Sequence, residues 1–153
     1  MFFRGVKNLN LDAKGRIAMP QKYREYLSAS CNGELIITIE KSRCLMIFAL
    51  PEWEGRERQL MQAPSLDPQV QSLQRLYVGY ATETTLDSQG RILIPASLRK
   101  FAGLDKQVVL VGQGHKFELW DEQHWLDNQA VWLDAVSAVD GSELPEALKN
   151  FSF

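Results

Sequence analysis

The chain carries the same ten-residue pattern twice, and this duplication constrains its fold more than any other feature of the sequence. Residues 11–20 match residues 86–95 at a constant shift of 75 positions. Both copies begin with Leu, continue with Asp-x-x-Gly-Arg-Ile and end with Pro. Self-similarity at a fixed spacing is the signature of a repeated supersecondary unit. Every motif in one half therefore has to be considered together with its counterpart in the other half.

The match extends beyond this pattern and divides the chain into two halves. Arg24 falls opposite Arg99 at the same shift, and later segments match at a shift of 72. The sequence therefore predicts two domains. The first covers residues 1–75 and includes a bridging helix, and the second covers residues 76–153 and ends in a helix and a tail. Hydrophobic residues make up 45% of the chain, which is enough for a folded core.

Each repeated motif has the composition of a tight turn between two short extended runs. Gly15 and Gly90 are able to adopt the positive φ that a tight reversal requires. The side chains of Asp12 and Asp87 are able to accept hydrogen bonds from backbone N–H groups of the turn. Apolar residues alternate on both sides of each motif, as they do in half-buried strands. We therefore predict one β-hairpin in each half.

The segments after the two predicted hairpins follow one order in both halves. Pro20 and Pro95 favour the first position of a helix, where a missing N–H has no consequence. A strand pair and a further helix then follow in each half. The predicted strands are residues 35–39 with 44–48 and residues 108–111 with 116–120, and the predicted helix starts lie near residues 51–53, 67–68 and 122–125.

Charge is distributed unevenly along the chain, although the net charge is only -2. Residues 1–24 contain six Lys or Arg and one Asp, which gives +5, whereas residues 121–153 contain seven Asp or Glu and one Lys, which gives -6. The basic end is suited to approach a polyanion. Two differently solvated faces are an alternative explanation of the same pattern.

The sequence indicates neither a metal site nor a catalytic site. Cys31 and Cys44 lack the spacing of a zinc site, so we expect reduced structural thiols and no cofactor. His115 and His124 stand apart from any nucleophile pattern, so we do not expect an enzyme. No apolar run approaches the roughly 18 residues of a membrane span, and we expect a cytoplasmic protein without membrane contact.

Several segments resemble the MraZ family of transcriptional regulators, and the resemblance covers nearly the whole chain. The segments are the two Asp-x-x-Gly-Arg motifs together with residues 3–5 (Phe-Arg-Gly), 50–53 (Leu-Pro-Glu-Trp), 111–113 (Val-Gly-Gln) and 116–121 (Lys-Phe-Glu-Leu-Trp-Asp). The resemblance implies an α+β fold of two tandem, pseudo-symmetric swapped-hairpin repeats. In such a fold each repeat is an AbrB-like β-barrel with flanking helices.

The same resemblance implies a function in transcription. Members of the family repress a promoter upstream of their own gene, at the head of the cell-division and cell-wall gene cluster. They bind tandem G-rich repeats in double-stranded DNA as ring-shaped homo-oligomers. The resemblance therefore implies that this chain is a nucleoid-associated, sequence-specific DNA-binding repressor.

Basic residues at and before the first motif are the candidates for DNA contact. An Arg carried by a narrow hairpin is able to donate two hydrogen bonds to guanine O6 and N7 in the major groove, worth roughly 1–3 kcal/mol of discrimination. Arg16 is therefore the first candidate for base readout, at the tip of the predicted hairpin. Arg4, Lys7 and Lys14 are candidates for phosphate contacts, which supply affinity that falls with salt.

The second motif is surrounded by fewer cations than the first. Gln89 stands where the first copy has Lys14, so we expect the first hairpin to dominate binding and Arg91 to contribute less. The Asp and Gly of each motif are expected to hold the turn and orient the Arg. Two alternatives stay open: each Arg forms an ion pair with its Asp that only sets the turn, or the chain is a ring-forming scaffold that binds an acidic protein or RNA.

Overall fold

The structure, a computed structural model, describes residues 1–139 and 144–152. It divides into two compact units, Met1–Glu122 and Gln123–Phe153. The strands of the described residues are β1 (Val6–Asn10), β2 (Arg16–Ala18), β3 (Glu34–Glu40), β4 (Cys44–Ala49), β5 (Thr82–Thr85), β6 (Arg91–Leu93), β7 (Gln107–Gly112) and β8 (Phe117–Asp121). The helices are α1 (Gln21–Cys31), α2 (Leu50–Gln62), α3 (Pro68–Leu73) with a π-helical turn after it (Gln74–Val78), α4 (Ala96–Phe101) and α5 (Glu122–Ala138).

The strands form one large and one small antiparallel sheet. Six of them form an open sheet in the order β1-β7-β8-β4-β3-β5, and β2 and β6 form a separate two-stranded sheet. β1 pairs with β7 and β5 pairs with β3, so each edge strand joins the half opposite its own. β4 and β8 connect the two halves in the middle of the large sheet. The large sheet is therefore built from both halves of the chain.

The prediction of a paired hairpin in each half was wrong. Among the described residues, the strands on either side of a turn form no ladder with each other; in the first copy the Asp12 N–H donates one bond to the Arg16 carbonyl at 2.9 Å. A closed β-barrel in each half, which the family resemblance implies, is not seen among residues 1–139 and 144–152, because the first strand of each half pairs in the other half. The physical reason is that β1 gains a five-residue ladder along β7, whereas β2 offers only three residues.

Equivalent residues of the two halves lie opposite each other at two places. In the small sheet Ile17 pairs with Ile92, its counterpart at the shift of 75. In the large sheet Met46 pairs with Glu118, its counterpart at the shift of 72. An antiparallel pair that is centred on equivalent residues has approximate two-fold symmetry. The first unit therefore repeats the turn, the short helix after it and the strand pair of one half at a rotated position in the other half.

One face of the small sheet is anchored in the hydrophobic core. Ile17 and Ile92 are each only 1% exposed, and they belong to one cluster with apolar residues of β3, β4, β7 and β8. Phe3 enters the same cluster, where its ring stacks on Phe117 with 4.2 Å between centroids. Burial of this face holds the small sheet on the protein. Its other face is left pointing outward.

The helices lie where the sequence predicts them, with a small difference at two starts. α1 and α4 begin directly after Pro20 and Pro95, which occupy the N-cap instead of the first helical position. Asp67 caps α3 by accepting the N–H of Gln69 at 2.8 Å. The predicted strands coincide with β3, β4, β7 and β8 to within two residues.

The second unit contains most of α5 and a short 3₁₀ turn at Glu146–Leu148. Along α5 the side chains of Val131 and Val136 are exposed, and Trp125 packs edge-on against Trp132 with 5.4 Å between ring centroids. Among the described residues, none of the helices is both long and apolar enough to span a membrane.

Candidate nucleic-acid interface

The first Asp-x-x-Gly-Arg motif forms a turn that is closed by its own aspartate. The Oδ1 atom of Asp12 accepts the backbone N–H groups of Lys14 and Arg16, both at 2.9 Å. The carbonyl of Asp12 accepts the N–H of Gly15 at 3.0 Å, and Gly15 has a φ of 82°. An L side chain rarely adopts this left-handed conformation, which explains the glycine. The side chain of Asp12 thus fixes two residues of the turn, and its backbone carbonyl fixes a third.

The same aspartate also holds the arginine of the motif. Nε of Arg16 donates to Oδ2 of Asp12 at 2.8 Å, and the Arg16 side chain is 26% exposed. The ion pair that the sequence offered as an alternative role is therefore present. This ion pair uses only the Nε edge of the guanidinium. The two Nη groups of Arg16 form no hydrogen bond within residues 1–139 and 144–152. The guanidinium is oriented by its carboxylate while its outer edge keeps its donors.

These contacts stabilise the charged form of the aspartate. The backbone N–H of Arg16 is the main cause that lowers the pKa of Asp12, with further lowering by the Arg16 side chain and the N–H of Lys14. Desolvation opposes this shift. The carboxylate therefore stays ionised to a lower pH than that of an ordinary aspartate.

The second motif repeats this geometry closely. Oδ1 of Asp87 accepts the N–H groups of Gln89 and Arg91 at 2.9 Å, and Oδ2 accepts Nε of Arg91 at 2.9 Å. Gly90 has a φ of 75°, and the Arg91 side chain is 28% exposed. The backbone N–H of Arg91 is again the main cause that lowers the pKa of Asp87.

The small sheet brings the two arginines onto one surface. Arg16 is the first residue of β2 and pairs with Leu93, and Arg91 is the first residue of β6 and pairs with Ala18. Side chains alternate along a strand, so these four residues share the face opposite the buried Ile17 and its partner. We call this two-stranded sheet with its outward face the arginine ribbon. Each arginine lies on the face of the ribbon. The sequence analysis had predicted Arg16 at the tip of a hairpin, and this position is wrong.

The tips of the two turns carry different residues. Lys14 is exposed in the first turn and Gln89 is exposed in the second. The turns lie at opposite ends of the arginine ribbon, because the N–H of Ile94 bonds to the carbonyl of Gly15 and the N–H of Met19 bonds to the carbonyl of Gly90. One end of the ribbon therefore carries a cation that the other end lacks.

Arg4 and Lys7 lie apart from the first turn. They line a surface depression of about 170 Å³ together with Lys22, which sequence reasoning did not single out. The backbone of Arg4 is fixed by Tyr23, whose hydroxyl donates to the Arg4 carbonyl at 2.7 Å. Pro20 also lines this depression, so it adjoins the end of β2. The structure thus divides the candidate DNA-binding residues into the arginine ribbon and a separate basic depression.

Two further arginines contact the turns. The sequence did not predict either of them as a site residue. Arg24 on α1 donates from Nη1 to the carbonyl of Gln89 at 3.0 Å, although the two residues are 65 positions apart. Arg99 on α4 lies against Gly15, where an added methyl group would come within 2.7 Å of its Cζ atom. Each arginine therefore covers the turn of the opposite half. The one signal in the sequence was that they occupy equivalent positions of the repeat.

A group of three side chains at the large sheet has the composition of a metal site. The ligand atoms of Glu40, Cys44 and Glu118 lie within 4.8 Å of one another. Oε2 of Glu40 already accepts the Ser42 N–H at 2.7 Å, and Oε1 of Glu118 accepts the indole N–H of Trp120 at 3.1 Å. Burial, with help from both carboxylates, raises the pKa of the Cys44 thiol. All three side chains already form hydrogen bonds within the protein, so we assign no ion to this group.

Comparison with known proteins shows what the sequence is similar to. The model of the MraZ protein family matches residues 2–76 and 78–136. The protein named transcriptional regulator MraZ from Thioalkalivibrio sulfidiphilus is 58% identical over 130 residues, which cover 85% of this chain and 87% of that protein. Proteins of the same name from Halorhodospira halophila and Nitrosomonas europaea are each 50% identical and cover 98% of this chain and 99% of their own length.

Proposed function

Because this chain belongs to the MraZ family, we propose that it is a sequence-specific, DNA-binding transcriptional regulator and not an enzyme. The observation that carries the proposal is the arginine ribbon. Its inner face is buried, and its outer face carries Arg16 and Arg91, each held at the Nε edge and bearing free Nη donors among the described residues. A rigid surface with two oriented guanidinium groups suits the recognition of base edges.

The dimensions of the ribbon suit the major groove. Paired strands lie about 4.8 Å apart, and the major groove is about 12 Å wide and admits a two-stranded ribbon. Cα atoms of diagonal neighbours in an antiparallel pair are roughly 7–8 Å apart, close to two base-pair steps of about 3.4 Å. We therefore propose that Arg16 and Arg91 read guanines about two base pairs apart. Their pseudo-two-fold relation favours contacts to opposite strands.

The aspartates act within the protein and not on the DNA. A phosphate repels the carboxylates of Asp12 and Asp87, so their contribution is to fix the turn and to set the direction of the arginine. Gly15 and Gly90 permit this geometry through their positive φ. The ion pair and the DNA contact are therefore compatible uses of the same arginine.

Phosphate contacts are assigned to the cations beside the ribbon. Lys14 extends one end of it, whereas Arg4, Lys7 and Lys22 line the basic depression near the other. We propose that Lys14 binds a phosphate at the rim of the groove and that the basic depression binds phosphates farther along the backbone. These contacts supply affinity that is independent of sequence.

We extend the proposal to the target and the assembly. The chain is proposed to repress its own operon in the cell-division and cell-wall gene cluster by binding tandem G-rich repeats, as a cytoplasmic, nucleoid-associated protein. One copy offers few base contacts, so linked copies in a homo-oligomeric ring would raise the affinity for tandem sites through effective concentration. We further propose that residues 1–75 and 76–153 are the two copies of an ancestral duplication, as the matching turns suggest.

Fluorescence anisotropy on three nucleic acids tests this function. The probes are a duplex from upstream of the gene, a scrambled duplex of equal composition and an RNA of the upstream sequence, each at about 50 mM and about 200 mM salt. We expect the upstream duplex to bind at least about 10³-fold more tightly than the scrambled one. Equal binding to all three, or binding to none, would contradict the proposal and favour the scaffold alternative.

A further inference from the structure

Arg24 and Arg99 form a reciprocal pair that connects each half of the chain to the turn of the other. The guanidinium of Arg99 lies over Gly15 in the first turn, and that of Arg24 lies over Gly90 in the second. A methyl group on Gly15 would lie 2.8 Å from Nε of Arg99, and one on Gly90 would lie 2.6 Å from Nη1 of Arg24. The absence of a Cβ is therefore what lets each guanidinium approach the turn. The glycines serve this contact in addition to the positive φ.

Both arginines hold a buried donor that has no acceptor. The Nε atoms of Arg24 and Arg99 are inaccessible to solvent and form no hydrogen bond within the described residues. The side chain of Arg24 donates once, from Nη1 to the Gln89 carbonyl, and the side chain of Arg99 forms no hydrogen bond or ion pair within the described residues. Asp105 lines the same depression of about 390 Å³ as Arg99, but the two form no ion pair within 4.0 Å. A buried polar group without a partner calls for an explanation.

Packing alone does not explain why these side chains are charged. A Met or Leu would cover the glycine with its apolar chain and would bury no donor, so the one structural gain from a guanidinium is the single bond of Arg24 to the Gln89 carbonyl. The same unsatisfied arrangement occurs twice, at positions related by the pseudo-two-fold symmetry. The charge therefore points to an anion that is supplied from outside the chain.

The location of the pair identifies that anion as a phosphate of the DNA backbone. Arg24 and Arg99 lie at opposite ends of the arginine ribbon, each on the turn that leads into a groove-facing arginine. A duplex that admits the ribbon into its major groove passes its two backbones along these ends. Lys106 lines the depression beside Arg99 and Lys14 belongs to the covered turn, so this end is basic in spite of Asp105.

We propose that Arg24 and Arg99 each bind a backbone phosphate while lying on the turn of the opposite half, so that one phosphate contact flanks the arginine ribbon at each end. The inference rests on the proposed DNA-binding function. It adds two positively charged contacts that no base-reading role requires. Each contact should release counterions on binding, and this is measurable independently of sequence selectivity.

The test measures how the affinity of the full-length protein for duplex DNA depends on salt. The variants are Arg24→Met and Arg99→Met, with Arg58→Met as the matched control, because Arg58 is exposed on α2 and loses the same charge. We expect each site variant to lower the slope of log K against log salt by about one and to weaken binding to specific and scrambled duplexes by the same factor. The control should leave the slope unchanged.

Three results separate the possible failures. An unchanged slope with a lower unfolding temperature and lost selectivity would show a purely structural role and overturn the inference. If a Met variant does not fold, the variants Arg24→Lys and Arg99→Lys take its place. Because Lys binds phosphate as a point charge, we expect them to keep the wild-type slope of log K against log salt. An altered slope together with lost selectivity would overturn the inference. Failure of the wild-type protein itself to select its upstream duplex would instead contradict the proposed function.

Discussion

The two turns share one geometry but differ in the charge around them. Both aspartates accept two backbone N–H groups at 2.9 Å, and their ion pairs measure 2.8 Å in the first turn and 2.9 Å in the second. Lys14 at the tip of the first turn is replaced by Gln89 in the second. The three cations of the basic depression, Arg4, Lys7 and Lys22, correspond to Gly79, Thr82 and Ser97 at the shift of 75.

This difference separates two properties of the interface. The hydrogen bonds within each turn orient Arg16 and Arg91 equally well, so the local geometry gives neither arginine an advantage. Any inequality between them in binding has to come from the neighbouring cations, which set how closely each end of the ribbon approaches the backbone. Changes to the arginines, to the neighbouring charges and to the aspartates test this separation in turn.

The largest effect is expected from removal of the arginines. Arg16→Ala should cost roughly 1–3 kcal/mol of discrimination, about a 5- to 150-fold loss of specific affinity, with circular dichroism and oligomer size unchanged. Arg91→Ala should cost less, because the tip of the turn beside it carries the neutral Gln89, whereas the tip of the turn beside Arg16 carries Lys14. Anisotropy on specific and scrambled duplexes measures both. A loss for Arg91→Ala that equals or exceeds that for Arg16→Ala would contradict the ranking.

An exchange of the tip residues is expected to have an intermediate effect. Lys14→Gln should weaken binding to every duplex and lower the salt slope by about one, since it removes a phosphate contact. Adding Gln89→Lys to Lys14→Gln should restore the slope. In this double variant, the losses of specific affinity caused by Arg16→Ala and by Arg91→Ala should differ less than they do in the wild-type protein. If the exchange leaves the difference between these two affinity losses unchanged, the tip charges are not its cause.

The smallest effect, and an equal one in both turns, is expected from the aspartates in acid. The pKa of each is lowered in the folded state, so its stabilising contribution is present above the ordinary Asp pKa and is lost as the pH falls through the folded value. Asp12→Asn and Asp87→Asn should therefore flatten the acid side of the melting-temperature profile to the same small extent. Melting curves between about pH 6 and about pH 3 measure this, and unequal changes would show that the turns are not equivalent.

The sequence predicts what depends on neighbouring residues. The turn at Asp12 is closed by bonds that span at most four positions, so its composition suffices to predict it. The N-cap at Asp67 is equally local. The duplication also made it possible to treat the two turns as equivalent before their geometry was known. These parts of the fold and of the site require no knowledge of long-range contacts.

The remaining features depend on which distant strand offers the better partner. β1 has an alternating pattern that fits a hairpin with β2, yet it pairs with β7, about 100 positions away, because that ladder is longer. This choice places Arg16 on the face of a ribbon and moves Arg4 away from it. The contact of Arg24 with Gln89 arises in the same way, since the register of β2 with β6 brings α1 to the second turn.

Site-specific cross-linking tests most directly whether the ribbon faces the DNA. Ala18 is exposed on the outer face, where it pairs with Arg91. The native Cys31 and Cys44 are buried. The variant Ala18→Cys therefore provides a single accessible thiol for a photoactivatable label. Ser65→Cys, at an exposed position between α2 and α3, is the control. We expect the label at position 18 to cross-link to the upstream duplex and the label at position 65 to remain unreacted. Cross-linking from position 65 alone would show that the ribbon is turned away from the nucleic acid.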